Sequence, residues 1–199
     1  MRTETTSREL YKFDELTEEA RETAIEGLSD INVDYEWAEY TIEDARECAK
    51  LMGIDIDKVY FSGFASQGDG ACFEGSYSHA KGSMKAIKAY APKDETLHGI
   101  ALALQDAQKP HAYGLTAKTT HSGHYMHRFC TTIDVVLAGG IESYVKPEAE
   151  KAITEALRDF MLWIYNALST DYDYRTSTEA IKETIEANDY EFTAEGEQA

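Results

Sequence analysis

Cysteine, proline, basic residues and long apolar runs are all scarce in this 199-residue chain, and each shortage excludes something. The three cysteines, Cys48, Cys72 and Cys130, are odd in number, widely spaced and free of any Cys-x-x-Cys pair. Neither a disulfide framework nor a thiolate zinc site is therefore expected. No stretch reaches the ~18 consecutive apolar residues of a membrane-spanning helix, and the opening Met1-Arg2-Thr3-Glu4-Thr5-Thr6-Ser7 lacks the apolar core of an export signal. These absences predict a soluble, unexported protein of a reducing cytoplasm. Repeats, low-complexity tracts and linkers are missing too, and the three prolines, Pro92, Pro110 and Pro147, all fall at expected helix boundaries. Only 19 Lys and Arg stand against 37 Asp and Glu, a net charge of −18.

What is present is enough apolar matter to fold. Hydrophobic content of 43% with 11% aromatics exceeds what disordered chains carry, so one compact domain over residues 1–199 is expected. Charge divides that domain into three parts. Residues 1–57 hold 17 acidic against 6 basic residues, 58–146 hold 7 against 9, and 147–199 hold 13 against 4. An acidic helical N-terminal part, a near-neutral core and an acidic helical C-terminal part follow from this. Such a field repels nucleic acid and membranes and favours basic partners, although solubility alone also selects for acid.

Periodicity assigns the elements. Thr17 caps a helix running to about Leu28 with Ala20, Ala24 and Leu28 inward, and a second helix spans about Glu36 to Met52, stopped by Gly53. The period changes at Ile54. Val59–Phe64 and Ala71–Tyr77 read as a hairpin around a glycine-rich connection. Helical spacing returns at Ala80, Met84, Ile87 and Ala91, and again after an Asp94 cap with Leu97, Ile100, Ala101 and Leu104. A second hairpin is expected from Tyr113–Thr119 and Tyr125–Leu137 around His121-Ser122-Gly123-His124. From Pro147, residues Ala149, Ile153, Ala156, Leu157, Phe160, Ile164 and Leu168 form one apolar stripe, which must lie on the sheet. A capping box, Thr176-Ser177-Thr178-Glu179, opens a last helix, and Tyr11–Phe13 and Tyr190–Phe192 can add short strands. The resulting fold class is α+β: an antiparallel sheet of four or more strands, built from two hairpins, with helices on one face.

Four places could carry function. Glu15, Glu18, Glu22 and Glu26 on the first helix, and Glu36, Glu39, Glu43 and Glu47 on the second, recur every three or four residues and share a helix face. Carboxylates about 6 Å apart along an axis can imitate a phosphate backbone. The plain alternative is a solvated helix face, but few basic partners accompany these residues. The stretch Ser62-Gly63-Phe64-Ala65-Ser66-Gln67-Gly68-Asp69-Gly70-Ala71-Cys72 matches neither the dinucleotide fingerprint nor the P-loop, so a bulged hairpin turn is preferred over a ligand loop. Ser66 and Cys72 have no base nearby in sequence. His121, His124 and His127 cluster at the second hairpin, yet strand alternation should point His124 and His127 to opposite faces, which argues against zinc. Asp171-Tyr172-Asp173-Tyr174 mixes acid with rings and suits a protein partner or a core rim. No catalytic residue, metal or cofactor is assigned.

Tyr11-Lys12-Phe13-Asp14-Glu15-Leu16 leading into Thr17-Glu18-Glu19-Ala20, the pair Val59–Phe64 and Ser66–Ala71, and Glu155-Ala156-Leu157-Arg158-Asp159-Phe160-Met161 together resemble small acidic proteins of tailed phages and prophages, often labelled antitoxin-like. The resemblance spans most of the chain and implies a phage accessory protein acting in the bacterial cytoplasm. It carries no catalytic residues. By analogy, such proteins often occupy host defence factors. The leading expectation is a non-enzymatic inhibitor of a basic, nucleic-acid-handling host protein, of anti-CRISPR or anti-restriction type. An antitoxin-like neutraliser of a basic toxin or nuclease is the second, and a small-ligand binder or enzyme using the Ser66–Cys72 loop the third. No direct binding to nucleic acid or membrane is expected, and the oligomeric state is left open.

Overall fold

A computed structural model of the chain describes residues 8–138 and 144–199. The elements run β1 (Tyr11–Lys12), a 3-10 turn (Phe13–Glu15), α1 (Glu18–Gly27), α2 (Glu39–Met52), β2 (Ile54–Phe61), β3 (Ala71–Ser78), α3 (Ser83–Tyr90), α4 (Glu95–Gln108), β4 (Leu115–His121), β5 (Thr131–Leu137), α5 (Pro147–Arg175), α6 (Thr178–Ala187) and β6 (Glu191–Phe192). The fold is α+β, with a four-stranded antiparallel sheet in the order β2-β3-β4-β5 and a separate β1-β6 pair. Two compact units divide the chain, one from residues 1–37 with 170–199 and the other from residues 38–169. Their limits do not coincide with the changes in charge at residues 57 and 146.

In the larger unit, sheet alternation decides which face is covered. Phe73, Tyr77, Leu115, Ala117 and Thr119 are buried, whereas their neighbours Ser76, Ser78, Lys118 and Thr120 are exposed. The covered face meets the long helix through Phe73, whose ring sits edge-on to Phe160 at 6.1 Å, and all seven expected stripe residues of α5 are buried. Ile54 and Ile56 alternate with Asp55 and Asp57, so β2 begins five residues before the expected Val59. A bulge between Ile56 and Lys58 interrupts its pairing with β3. Gly75 lies opposite Ile56, and any Cβ there would strike the Asp55 carbonyl. Asp94 caps α4 by accepting from the Leu97 N–H at 2.9 Å, and Gly53 ends α2 with φ 85, both as expected.

The smaller unit has its own core of Phe13, Leu16, Ala20, Ala24, Ile181, Ile185 and Phe192. Its two expected short strands exist and pair with each other, Tyr11 opposite Phe192. Thr17 caps α1 as expected, through the Ala20 N–H at 3.2 Å. The cap of α6 is Ser177, which accepts from the Ala180 N–H at 3.2 Å. Thr176 is not the cap. Its hydroxyl donates instead to the Tyr172 carbonyl at 2.9 Å and so belongs to the end of α5.

Further boundaries differ from expectation: β2 ends at Phe61 rather than Phe64, and β4 runs Leu115–His121 rather than Tyr113–Thr119, with Tyr113 in the left-handed region at φ 63 before it. Helix α2 starts at Glu39 rather than Glu36, because residues 31–38 form turns and bends. Ala80 precedes α3. Residues 125–130 are not strand: β5 begins at Thr131, since the Ser122 N–H donates to the Cys130 carbonyl at 2.8 Å and closes the hairpin there.

Candidate functional site

All eight candidate glutamates are exposed, and none takes part in an ion pair among the described residues. Six of them keep the expected geometry. Glu18, Glu22 and Glu26 form one row on α1, and Glu39, Glu43 and Glu47 form one row on α2, each with a spacing of four residues. Glu15 and Glu36 do not belong to these rows. Glu15 ends the 3-10 turn, where its carboxylate accepts from the Lys12 N–H at 2.7 Å, and Glu36 lies in the bend before α2. The α1 row belongs to the smaller unit and the α2 row to the larger. Glu26 occupies the last turn of α1, which contains no basic residue, so it opposes the helix dipole.

The glycine-rich connection is a closed hairpin loop held by its own bonds. Asp69 accepts from the N–H groups of Ala65 at 3.0 Å and Ser66 at 2.6 Å, and the Ser62 N–H donates to the Gly70 carbonyl at 3.1 Å. Gly68 and Gly70 let this loop touch the second hairpin loop. A Cβ at Gly68 would come within 3.0 Å of the Tyr125 ring, and one at Gly70 within 3.0 Å of His127. Between the two loops lies a cleft of about 420 Å³ lined by Gln67, Gly68, Tyr125, His127 and Cys130. Burial pushes the Cys72 thiol up to about 12, and Cys48 likewise, so neither is a thiolate at neutral pH.

Each histidine is engaged locally. The His121 ring stacks on Tyr60 at 4.6 Å, and its Nε2 lies 3.1 Å from the Tyr125 carbonyl. His124 meets the edge of Tyr125 at 5.4 Å, and His127 Nδ1 accepts from the Phe129 N–H at 3.3 Å. His124 and His127 sit in the loop, not on a strand, so the alternation argument against zinc does not apply. Among the described residues, no group of three His, Cys, Asp or Glu could hold a metal ion. In the Asp171–Tyr174 run, Asp171 binds Arg175 at 2.9 Å and the Tyr172 ring packs 5.7 Å from Trp37, which makes these two part of the smaller unit's packing.

One polar network escaped the sequence reading. The Tyr60 hydroxyl donates to Glu74 at 2.7 Å, the His121 N–H donates to the same carboxylate at 3.1 Å, and the Lys58 ammonium lies 4.4 Å above the Tyr60 ring. Those bonds hold the Glu74 carboxyl below its ordinary range and raise the Tyr60 phenol. The bulge at Ile56/Lys58 sets the register that brings Lys58 opposite Glu74. Alternation alone could have flagged these residues as sharing one face, but not the bulge.

Fold and surfaces together define an acidic α+β protein whose four-stranded meander is covered by helices on one face. The chain belongs to the family described as Domain of unknown function (DUF8835), whose model matches residues 37–178. No curated protein and no solved structure matches it. The matched span includes the α2 row and both hairpin loops, whereas the α1 row lies outside it. Among the described residues, no helix is long and apolar enough to cross a membrane.

Proposed function

We propose that this chain is a non-enzymatic acidic binding protein, encoded by a phage and active in the bacterial cytoplasm. Its target is a basic, nucleic-acid-handling host defence factor, so that it acts as an inhibitor of anti-CRISPR or anti-restriction type. The observation that carries the reading is the row Glu39, Glu43 and Glu47, exposed on one face of α2 and without an ion-pair partner among the described residues. Spaced by about 6 Å per step, these carboxylates make a rigid line of negative charge. A surface built to grip phosphate can take that line in place of nucleic acid. The net charge of −18 adds long-range attraction to a basic partner. A non-enzymatic role is supported by the local chemistry. Ser66 is exposed in a turn, Cys72 is protonated and buried, and among the described residues no base is bonded to either.

Affinity capture from lysogenic bacteria followed by mass spectrometry tests the proposal. A nuclease or a CRISPR subunit is the expected catch. A cognate basic toxin would move the antitoxin reading ahead. The cleft between the hairpin loops favours the third reading, a small-ligand binder, only where a metabolite co-purifies without protein partners. Ser66→Ala, Cys72→Ala and His124→Ala should each leave inhibition intact, and loss of activity in a well-folded single variant would put the enzyme reading first.

A further inference from the structure

Between the outer faces of α4 and α5 runs a groove of about 450 Å³, wholly within the larger unit. Gly99 and Ala103 of α4 and Ala152 and Ala156 of α5 line it, and Leu162 and Trp163 extend the apolar lining along α5. Leu162 is 38% exposed. Three carboxylates stand on the rim, Glu95, Glu155 and Asp159. Glu95 has no ionic partner among the described residues, whereas Glu155 meets Lys151 at 3.7 Å and Asp159 meets Arg128 at 3.2 Å. The Glu155 pair is exposed at both ends and exchanges readily for another cation, whereas Asp159 keeps one oxygen for a second donor beside the half-buried Arg128.

Gly99 is a residue that the packing of α4 does not require. It sits inside α4, its φ is not in the left-handed region, and a Cβ built on it would meet nothing within 4 Å. Alanine would fit and would favour the helix. What the glycine does provide is an open stretch of groove.

We infer that this groove receives a cationic amphipathic helix of the partner. The helix lays its apolar side chains on Gly99, Ala103, Ala152 and Ala156 while flanking Lys or Arg residues meet Glu95, Glu155 and Asp159. The inference rests on the proposed reading of a basic partner and adds the chemistry of the segment that docks. Charge complementarity selects this occupant. A second copy of the chain, itself at −18, would bring acid against an acidic rim.

The test uses a synthetic helical peptide with leucines on one face and lysines on the other, titrated into the full chain. Amide and indole NMR shifts should concentrate on Gly99, Ala103, Ala152, Ala156 and Trp163. Gly99→Leu, which projects into the groove from a Cβ that meets nothing within 4 Å, should keep the melting temperature and weaken the peptide about tenfold or more. Ala152→Arg, which closes the groove from α5, should do the same and serves if the first variant misfolds. A peptide with glutamates in place of the lysines should not bind. Shifts on α2 or the hairpin loops instead, affinity indifferent to both variants, or equal binding of the acidic peptide would overturn the inference. A dimer abolished by Gly99→Leu would overturn it as well, by making a second copy the occupant. Partner binding that responds to charge reversal on α2 but not to Gly99→Leu would remove the groove and leave the functional reading standing. Groove binding of the peptide alongside capture of no basic protein would do the reverse.

Discussion

Gln108 is wholly buried, yet each polar atom of its side chain is satisfied. Its Nε2 donates to the Leu115 carbonyl at 2.7 Å and to the Tyr77 hydroxyl at 3.3 Å, and its Oε1 accepts from the Leu115 N–H at 2.9 Å. The glutamine thereby ties the end of α4 to the start of β4. Leucine would keep the volume but orphan both backbone groups of Leu115, so Gln108→Leu should cost about 1–3 kcal/mol. A lower denaturant midpoint at unchanged slope is the expected signature. Nothing in the sequence marks Gln108 as interior, because its partners lie 7 and 31 residues away and only the tertiary fold brings them near. Glu74 makes a second case. Its folded pKa is lowered by the Tyr60 hydroxyl first and the His121 N–H second. A carboxyl so lowered contributes stability above its unfolded pKa and loses it as pH falls through the folded value. Tyr60→Phe should therefore raise the Glu74 pKa towards the ordinary value and weaken the acid dependence of stability. Carboxyl-carbon NMR titration of Glu74 reads the shift directly, and an unmoved titration would show that the phenol is not the cause.

At the scale of elements, sequence patterning was most legible where one face is buried over many turns. The α5 stripe was readable in full, and Phe160 at its centre is enclosed between the edge-on ring of Phe73 and the parallel ring of Trp163, 5.6 Å away. Phe160→Ala should lower stability by about 3–5 kcal/mol through lost burial and an unfilled cavity. Chemical denaturation measures this, and a loss below about 1 kcal/mol would mean that the site collapses to fill itself. The second hairpin was misread for a physical reason. Tyr125, His127 and Phe129 alternate like a strand, but Tyr125 and His127 pack on Gly68 and Gly70 of the other loop, and Phe129 lies 5.0 Å and 5.3 Å from the guanidinium carbons of Arg128 and Arg158. Tertiary contacts had taken over a local pattern. Acidic spacing misled at Glu15 and Glu36 in the same manner, since a three-residue interval continues a helix only where the helix exists. The exposure of all eight glutamates was legible, and the helix membership of six. The α4/α5 groove was not, because it arises from two faces that are distant in sequence.

For the whole molecule, the consequential quantity is the sign and placement of charge. Exposed carboxylates without partners add little to stability one by one, so their effect should appear in encounter kinetics instead. Reversing Glu18, Glu22, Glu39 and Glu43 to Lys together alters both units without touching either core, and each position taken singly should change stability by no more than about 0.5 kcal/mol. Association with the captured partner should then slow by about tenfold or more at low salt, where the screening length is long. A plot of the logarithm of the association rate against ionic strength should also lose most of its slope, because less attraction remains to be screened. Dissociation should change less, since it reports short-range contacts such as those of a docked helix. If the quadruple variant folds normally and associates at the original rate with the original salt dependence, the acidic rows are solubility charge. The larger unit, through its paired hairpin loops or its helix groove, would then hold the binding surface.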